Sequence, residues 1–206
     1  MESASIAGSH ADHHHGPPEA HQSSRIDRQT LGILLFIVSE IMLFGAFFAS
    51  YFFIRVVANQ GPWPPEPYEL PVLVAGVNTA ILVSSSFTMH WALESAKAEN
   101  RAGMRVGLLV TFLLGLSFLC IQVNEYVHLD FGPASSAQGT IFYGLTGLHG
   151  AHVLVGLVLL TFANIRAYKG HFGTAAKDHL GVEVPGIYWH FVDVMWIIVF
   201  VTIYIL

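Results

Sequence analysis

The stretch that decides the fold is the last one, YWHFVDVMWIIVFVTIYIL at residues 188–206. Its final ten residues, IIVFVTIYIL, are almost entirely apolar, which is typical of a helix that spans a membrane. The first nine residues, however, contain His190 and Asp193. A charged carboxylate at the centre of a bilayer costs roughly 2.5–3.5 kcal/mol on insertion scales. This pair therefore needs either a packing or a functional explanation.

The rest of the chain repeats the same pattern. Of its 206 residues, 53% are hydrophobic and only 11% are charged, whereas a soluble domain carries about 25% charged residues. Five apolar stretches are each about 20 residues or longer, which is enough to cross ~30 Å of hydrocarbon as a helix. Helices satisfy their own backbone hydrogen bonds in lipid. The sequence therefore predicts an all-α polytopic membrane protein, a five-transmembrane-helix bundle over residues 31–57, 70–93, 104–127, 139–166 and 185–206.

The first 29 residues differ from this apolar part. They are polar and include five histidines, at positions 10, 13, 14, 15 and 21. They lack both the apolar core of a signal peptide and the Arg-rich composition of a transit peptide. We expect residues 1–29 to form a disordered, His-rich cytoplasmic tail and residues 30–206 to form the transmembrane domain.

The basic residues predict the orientation of the bundle. Eight of the nine lysines and arginines lie before the first helix or in the second and fourth connections, and only Arg55 lies on the opposite side. Because cytoplasmic loops carry an excess of Lys and Arg, the N-terminus is predicted to be cytoplasmic. An odd number of spans then places the C-terminus outside.

Polar residues within the spans are the candidate functional groups, since intramembrane ionisable residues usually face the bundle interior and pair with one another. They are Glu40, Asn78, Glu125, His149, His152, His190 and Asp193. Positions three apart share one helix face, so His149 lies with His152 and His190 with Asp193. We predict that Asp193 hydrogen-bonds His190 and fixes its tautomer. Two interpretations stay open: a ligand triad or proton relay, and a polar cluster that fixes helix packing.

Metal chemistry is not predicted for this chain. The single cysteine, Cys120, cannot form a paired-thiolate site, and no C-x-x-C-H motif for covalent haem is present. Haem b needs axial histidines on different helices, which His190 with His149 or His152 could supply. A haem b electron carrier therefore remains one alternative, and a proton-coupled transporter using Glu40 and the histidines is another.

Six motifs in order resemble subunit III of the haem–copper respiratory oxidases (cytochrome c oxidase subunit 3), and they cover essentially all of residues 30–206. They are LFIVSEIMLF, GPWPP, VNTAILVSSSFT, GLLVTFLLGLSFLCIQVNEY, GTIFYGLTGLHGAHVLVG and YWHFVDVMWIIVFVTIY. Many members of this family have seven helices. The present chain begins where their third helix would, so it resembles the shorter five-helix bacterial form.

The resemblance implies an accessory, non-redox subunit with no catalytic centre and no cofactor of its own. Such a subunit packs on catalytic subunit I beside subunit II, which hold the haem and copper. It also holds membrane phospholipid and supports proton uptake and sustained turnover. The implied location is the bacterial cytoplasmic (inner) membrane, with no nucleic acid among the partners.

Individual residues are carried over by the same resemblance. Glu40 matches the intramembrane carboxylate of the family. Arg166, Lys169 and His171, in NIRAYKGHF, match a basic stretch that contacts phospholipid head groups in related subunits, and cationic residues at the cytoplasmic surface attract anionic lipid.

The type of oxidase is the remaining question. The motif SEIMLF and the GPWPP loop favour a cytochrome c oxidase over a quinol oxidase. The His-rich tail, in contrast, resembles that of some quinol oxidase subunits, and a related subunit accompanies some nitric oxide reductases. We predict a cytochrome c oxidase, with a quinol oxidase as the alternative.

Overall fold

A computed structural model describes residues 28–58, 70–169 and 180–206 of the chain. Within these ranges the protein is helical and contains no β-strand. Helix α1 (Arg28–Phe52) continues as a π-helical segment (Phe53–Ala58), and α5 (Leu180–Phe200) continues as another (Val201–Ile205). Between them lie α2 (Val72–Lys97), α3 (Arg101–His128) and α4 (Ala137–Tyr168). All five helices are long and apolar enough to cross a membrane, which confirms the predicted all-α, five-helix fold.

Helices α2 to α5 form the body of the bundle. The contacts of α2 are mainly with α3 and α5, and those of α4 are mainly with the same two helices. Helix α1 packs on one edge, against α4 and α5. In the most apolar part of each span, 6% of the residues are buried in α1, against 56% in α5. Helix α5, which carries His190 and Asp193, is therefore the most enclosed helix, and α1 is peripheral.

The helix boundaries differ from the predicted ones by up to five residues. Helix α2 extends past the predicted end at residue 93 to Lys97, and α5 begins at Leu180 rather than at residue 185. Pro185 consequently lies inside α5. The helices continue beyond the apolar stretches because polar residues at their ends can reach the aqueous boundary. Hydropathy alone therefore places these ends too far inward.

One large side chain on α5 sets the packing of the core. Trp189 is fully buried, and its indole nitrogen donates to Ser85 Oγ on α2 at 2.8 Å. Its ring lies where α3 and α4 both present glycine. A Cβ added at Gly115 would come within 2.7 Å of Trp189 Cζ2, and one added at Gly156 within 2.8 Å of Cε3. The two missing side chains thus create the space that the indole occupies.

The C-terminal ends of the first and last spans are joined at one end of the bundle. The Tyr51 hydroxyl donates to the Thr202 carbonyl at 2.7 Å, and Arg55 Nη1 donates to the Tyr51 hydroxyl at 3.0 Å. Arg55 Nη2 also donates to the Leu206 carbonyl. Arg55, the basic residue predicted on the opposite side from the other eight, therefore links α1 to the end of the last helix.

Candidate functional site

A carboxyl–imidazole pair joins α1 to the body of the bundle. Glu40 Oε2 lies 2.8 Å from His152 Nε2, and the two side chains are only 15% and 11% exposed. Both residues lie near the middle of their spans. The sequence predicted that each residue is polar and lies within a span. It did not predict that they pair across two helices, which is a result of the fold.

The other ring nitrogen of His152 fixes the protonation pattern of this pair. His152 Nδ1 lies 2.7 Å from the carbonyl oxygen of Leu148, one turn earlier in α4. A carbonyl only accepts hydrogen bonds, so Nδ1 must carry a proton. Nε2 then either accepts from a protonated Glu40 or, in an imidazolium ion, donates to a carboxylate. In both cases one proton lies in the hydrogen bond between Nε2 and Oε2.

Neighbouring side chains hold the pair in place. The Tyr188 hydroxyl donates to the backbone carbonyl of His152 at 3.1 Å. The Phe44 ring covers the imidazole, with 5.1 Å between the ring centroids. The arrangement can therefore keep one exchangeable proton at a fixed position within the apolar region.

His149 lies three residues before His152 but has different surroundings. It is fully buried, with its ring edge-on to Phe118 at 5.6 Å and beside Trp196 at 4.7 Å. Neither ring nitrogen has a hydrogen-bond partner within the described part of the chain. The shared helix face predicted from spacing is therefore divided between two environments.

The predicted hydrogen bond between His190 and Asp193 is wrong. His190 Nδ1 is hydrogen-bonded to Ser86 Oγ on α2 at 2.9 Å. Asp193 is 3% exposed and forms no hydrogen bond with His190, and its carboxyl group lies beside the same Ser86 hydroxyl. A hydroxyl from another helix takes the place of the carboxylate, and spacing within one helix cannot reveal such a competitor.

The predicted polar residues thus occupy three separate places. Glu40 and His152 form the pair at the α1 edge, His149 lies among aromatic rings in the interior, and His190 and Asp193 lie where α5 meets α2. Within residues 28–58, 70–169 and 180–206, no three His, Cys, Asp or Glu residues are grouped so that they could hold a metal ion.

The predicted lipid-binding residues lie at the end of α4. Arg166 is in the last turn and Lys169 follows the helix, whereas His171 lies outside the described residues. Lys169 lines an almost wholly apolar groove between α3 and α4, together with Leu109, Phe112, Thr161, Asn164, Ile165 and Tyr168.

Several partners of the site residues were not singled out from the sequence. Ser85 and Ser86 bind Trp189 and His190, and the Tyr204 hydroxyl donates to Glu125 Oε1 at 2.7 Å. The run SSS at residues 84–86 was the available signal, because three hydroxyls within a span usually serve interhelical contacts.

Comparison with known proteins identifies the family. A family model described as cytochrome c oxidase subunit III matches residues 17–206. The chain belongs to the cytochrome c oxidase subunit III family. The resemblance inferred from the motifs is thereby confirmed. The match begins within the predicted tail, at positions outside the described residues.

Individual relatives agree with this assignment. The chain is 41% identical to cytochrome c oxidase subunit 3 of Thermostichus vulcanus, over 90% of this chain and 91% of that protein. It is 39% identical to the Synechocystis subunit 3, over 94% and 78% of the two chains. The subunit 3 of Rattus norvegicus is 38% identical, over 84% and 67%. Family membership makes the chain a subunit of an oxidase complex and a multi-pass membrane protein, and it favours this role over a haem b carrier or a transporter.

Proposed function

We propose that the chain is an accessory, non-catalytic subunit of a proton-pumping cytochrome c oxidase of the aerobic respiratory chain. It packs on catalytic subunit I beside subunit II, and the haem and copper reside in those subunits. It lies in a bacterial inner membrane with its N-terminus in the cytoplasm, and it supports proton uptake and sustained turnover. The family match over residues 17–206 supports membership of the oxidase, and the hydrogen bond between Glu40 and His152 is the observation that carries the role in proton uptake.

The pair suits a role in proton supply because it retains one proton within hydrocarbon. Both ring nitrogens of His152 are occupied, Nδ1 by the Leu148 carbonyl and Nε2 by Glu40. The remaining exposure of Glu40 and His152 lies at the edge where α1 meets α4. A proton can therefore be exchanged between the pair and a neighbouring subunit without crossing the bundle core.

Helix α1 also offers a surface for the rest of the complex. Its outward side chains are large and apolar, with Leu35 64%, Val38 56% and Met42 73% exposed. In a membrane this surface contacts either lipid or apolar side chains of a partner, so it is compatible with docking on subunit I.

Lipid binding is supported by the groove between α3 and α4. Its walls are apolar, as an acyl chain requires, and Lys169 is among the residues that line it. The guanidinium of Arg105 lies 5.4 Å from the centre of the Tyr168 ring and donates to the Ala167 carbonyl at 3.1 Å. Two basic groups beside an apolar groove match the head group and tail of an anionic phospholipid.

The variant Glu40→Gln in the intact oxidase tests the proposed role. The amide of Gln can still donate to His152 Nε2, so assembly and haem content should be retained. The exchangeable carboxyl proton is lost, so proton uptake should slow or the turnover lifetime should shorten. The matched control is Glu94→Gln, because Glu94 is 53% exposed and pairs with Lys97 at the end of α2. Complete loss of assembly with Glu40→Gln would instead favour a purely structural role.

A further inference from the structure

Four buried side chains on α2, α3 and α4 carry polar atoms that no group in the described part of the chain satisfies. They are Asn78, Gln122, Glu125 and His149, which we call the polar interior, and none is more than 5% exposed. The atoms without a hydrogen-bond partner among the described residues are Asn78 Oδ1, Gln122 Nε2 and Oε1, Glu125 Oε2, and both ring nitrogens of His149.

These side chains lie next to one another. Phe118, Gln122 and Glu125 follow at intervals of four and three residues, so they share one face of α3. Asn78 Nδ2 donates to the Phe118 carbonyl at 3.2 Å, which places the Asn78 amide against the same turn. The His149 ring meets the Phe118 ring from the α4 side.

The depth of Gln122 matches that of His149. The Tyr126 hydroxyl donates to Thr146 Oγ1 at 2.7 Å, which sets the level of α3 against α4. Gln122 lies one turn from Tyr126 and His149 lies just under one turn from Thr146, in the same direction. The Gln122 amide also lies beside the hydroxyls of Tyr126 and Tyr204.

The polar interior reaches a cavity at one end of the bundle. Glu125 and Asn124 line this cavity together with His128 and Asp130, and its volume is about 200 Å³. Because one water molecule takes roughly 30 Å³ in the liquid, the cavity has room for several. Glu125 thus stands between the cavity and the deeper residues.

We propose that the polar interior binds a short file of ordered water molecules, which runs from this cavity past Glu125 and Gln122 to Asn78 and His149. The unsatisfied atoms include donors as well as acceptors, and water can serve both. A metal cation would need acceptors only, and an anion would need donors only. Leaving so many buried polar atoms unpaired costs more free energy than immobilising the waters that would satisfy them.

The direct test is a cryo-electron microscopy map of the wild-type oxidase at a resolution that shows water. We expect isolated density within hydrogen-bond distance of Glu125 Oε2 and of the Gln122 amide. The proposal is overturned if these atoms are paired with protein groups and no water density lies beside them. This result does not depend on the role of Glu40, so it can fail while the proposed function stands.

Radiolytic hydroxyl labelling of the assembled oxidase gives a second test, because bound water generates radicals beside buried side chains. Replacement Gln122→Leu should lower the labelling of Phe118 and Tyr126 several-fold. The control Thr111→Val removes an equally buried hydroxyl whose partners, the Gly107 carbonyl and Thr88 Oγ1, are protein groups, and it should leave that labelling unchanged. Equal labelling in wild type and both variants would contradict the water file. If Gln122→Leu does not assemble, the wild-type map decides the question.

Discussion

His152 and His149 lie one turn apart on α4, but they have opposite surroundings. His152 has both ring nitrogens hydrogen-bonded, to Glu40 on α1 and to its own helix. His149 is more deeply buried and has neither nitrogen bonded to a described group. Whether a polar side chain in a span finds a hydrogen-bond partner therefore depends on the residues of the neighbouring helix. Its depth and its position along its own helix do not determine this.

The largest expected effect comes from filling the space around Trp189. Gly115→Ala would place a Cβ against a rigid, buried indole ring, so we expect a destabilisation of about 3 kcal/mol, at the upper end for overpacking. The measurement is thermal dissociation of the subunit from the purified oxidase. Such a loss would show that the space around Trp189 cannot take even one added methyl group.

Gly150→Ala on α4 is the matched control for Gly115→Ala. Among the described residues, the nearest atom to a Cβ at Gly150 is Leu119 Cδ1 at 3.8 Å, an ordinary van der Waals contact, so the stability should be unchanged or slightly raised. If both variants were destabilised equally, the loss would come from replacing glycine in a helix and not from a clash with the Trp189 ring.

The next largest effect should come from breaking the pair at the α1 edge. His152→Leu leaves Glu40 buried without its partner, and we expect a loss of about 1.5–3 kcal/mol, typical of hydrogen bonds to charged groups. The double variant Glu40→Leu with His152→Leu should recover part of this loss, because no unpaired polar group remains. A double-mutant cycle on thermal dissociation measures the coupling. Strictly additive effects would show that the contact contributes no coupling energy.

Ser86→Ala should have a smaller effect, since it removes one neutral hydrogen bond to His190. The expected loss is about 0.5–1.5 kcal/mol in the same thermal assay. Ser84→Ala is the control, because the Ser84 hydroxyl is exposed and donates to the Ala80 carbonyl of its own helix. If Ser84→Ala lost as much stability as Ser86→Ala, the interhelical hydrogen bond would contribute no more to stability than a bond within one helix.

The smallest effect is expected for His149→Phe. No hydrogen bond to a described protein group is lost, only the contact with the last of the proposed waters, and a phenyl ring can pack against Phe118 and Trp196. A buried change of similar volume usually costs less than about 1.5 kcal/mol. The comparison with His152 would fail if His149→Phe destabilised the oxidase as much as His152→Leu does.

The sequence predicted the parts of this protein that depend on local composition. The length of the apolar stretches predicted the five spans, because a chain in hydrocarbon must satisfy its own backbone hydrogen bonds and a helix does so. Ordered motifs gave the family, and the cost of burying an ionisable group singled out Glu40, His149 and His152. The cytoplasmic N-terminus, inferred from the basic residues, stays a prediction.

The tertiary structure alone decided how those groups are satisfied. Spacing suggested that Asp193 would bind His190, but the fold brings Ser86 to that position. It also brings Glu40 to His152, and it sets Trp189 between Gly115 and Gly156. The physical reason is that an interhelical contact depends on the rotation and depth of two helices at once. A single chain of residues fixes which face of each helix is polar, but it does not fix which face of the next helix will meet it.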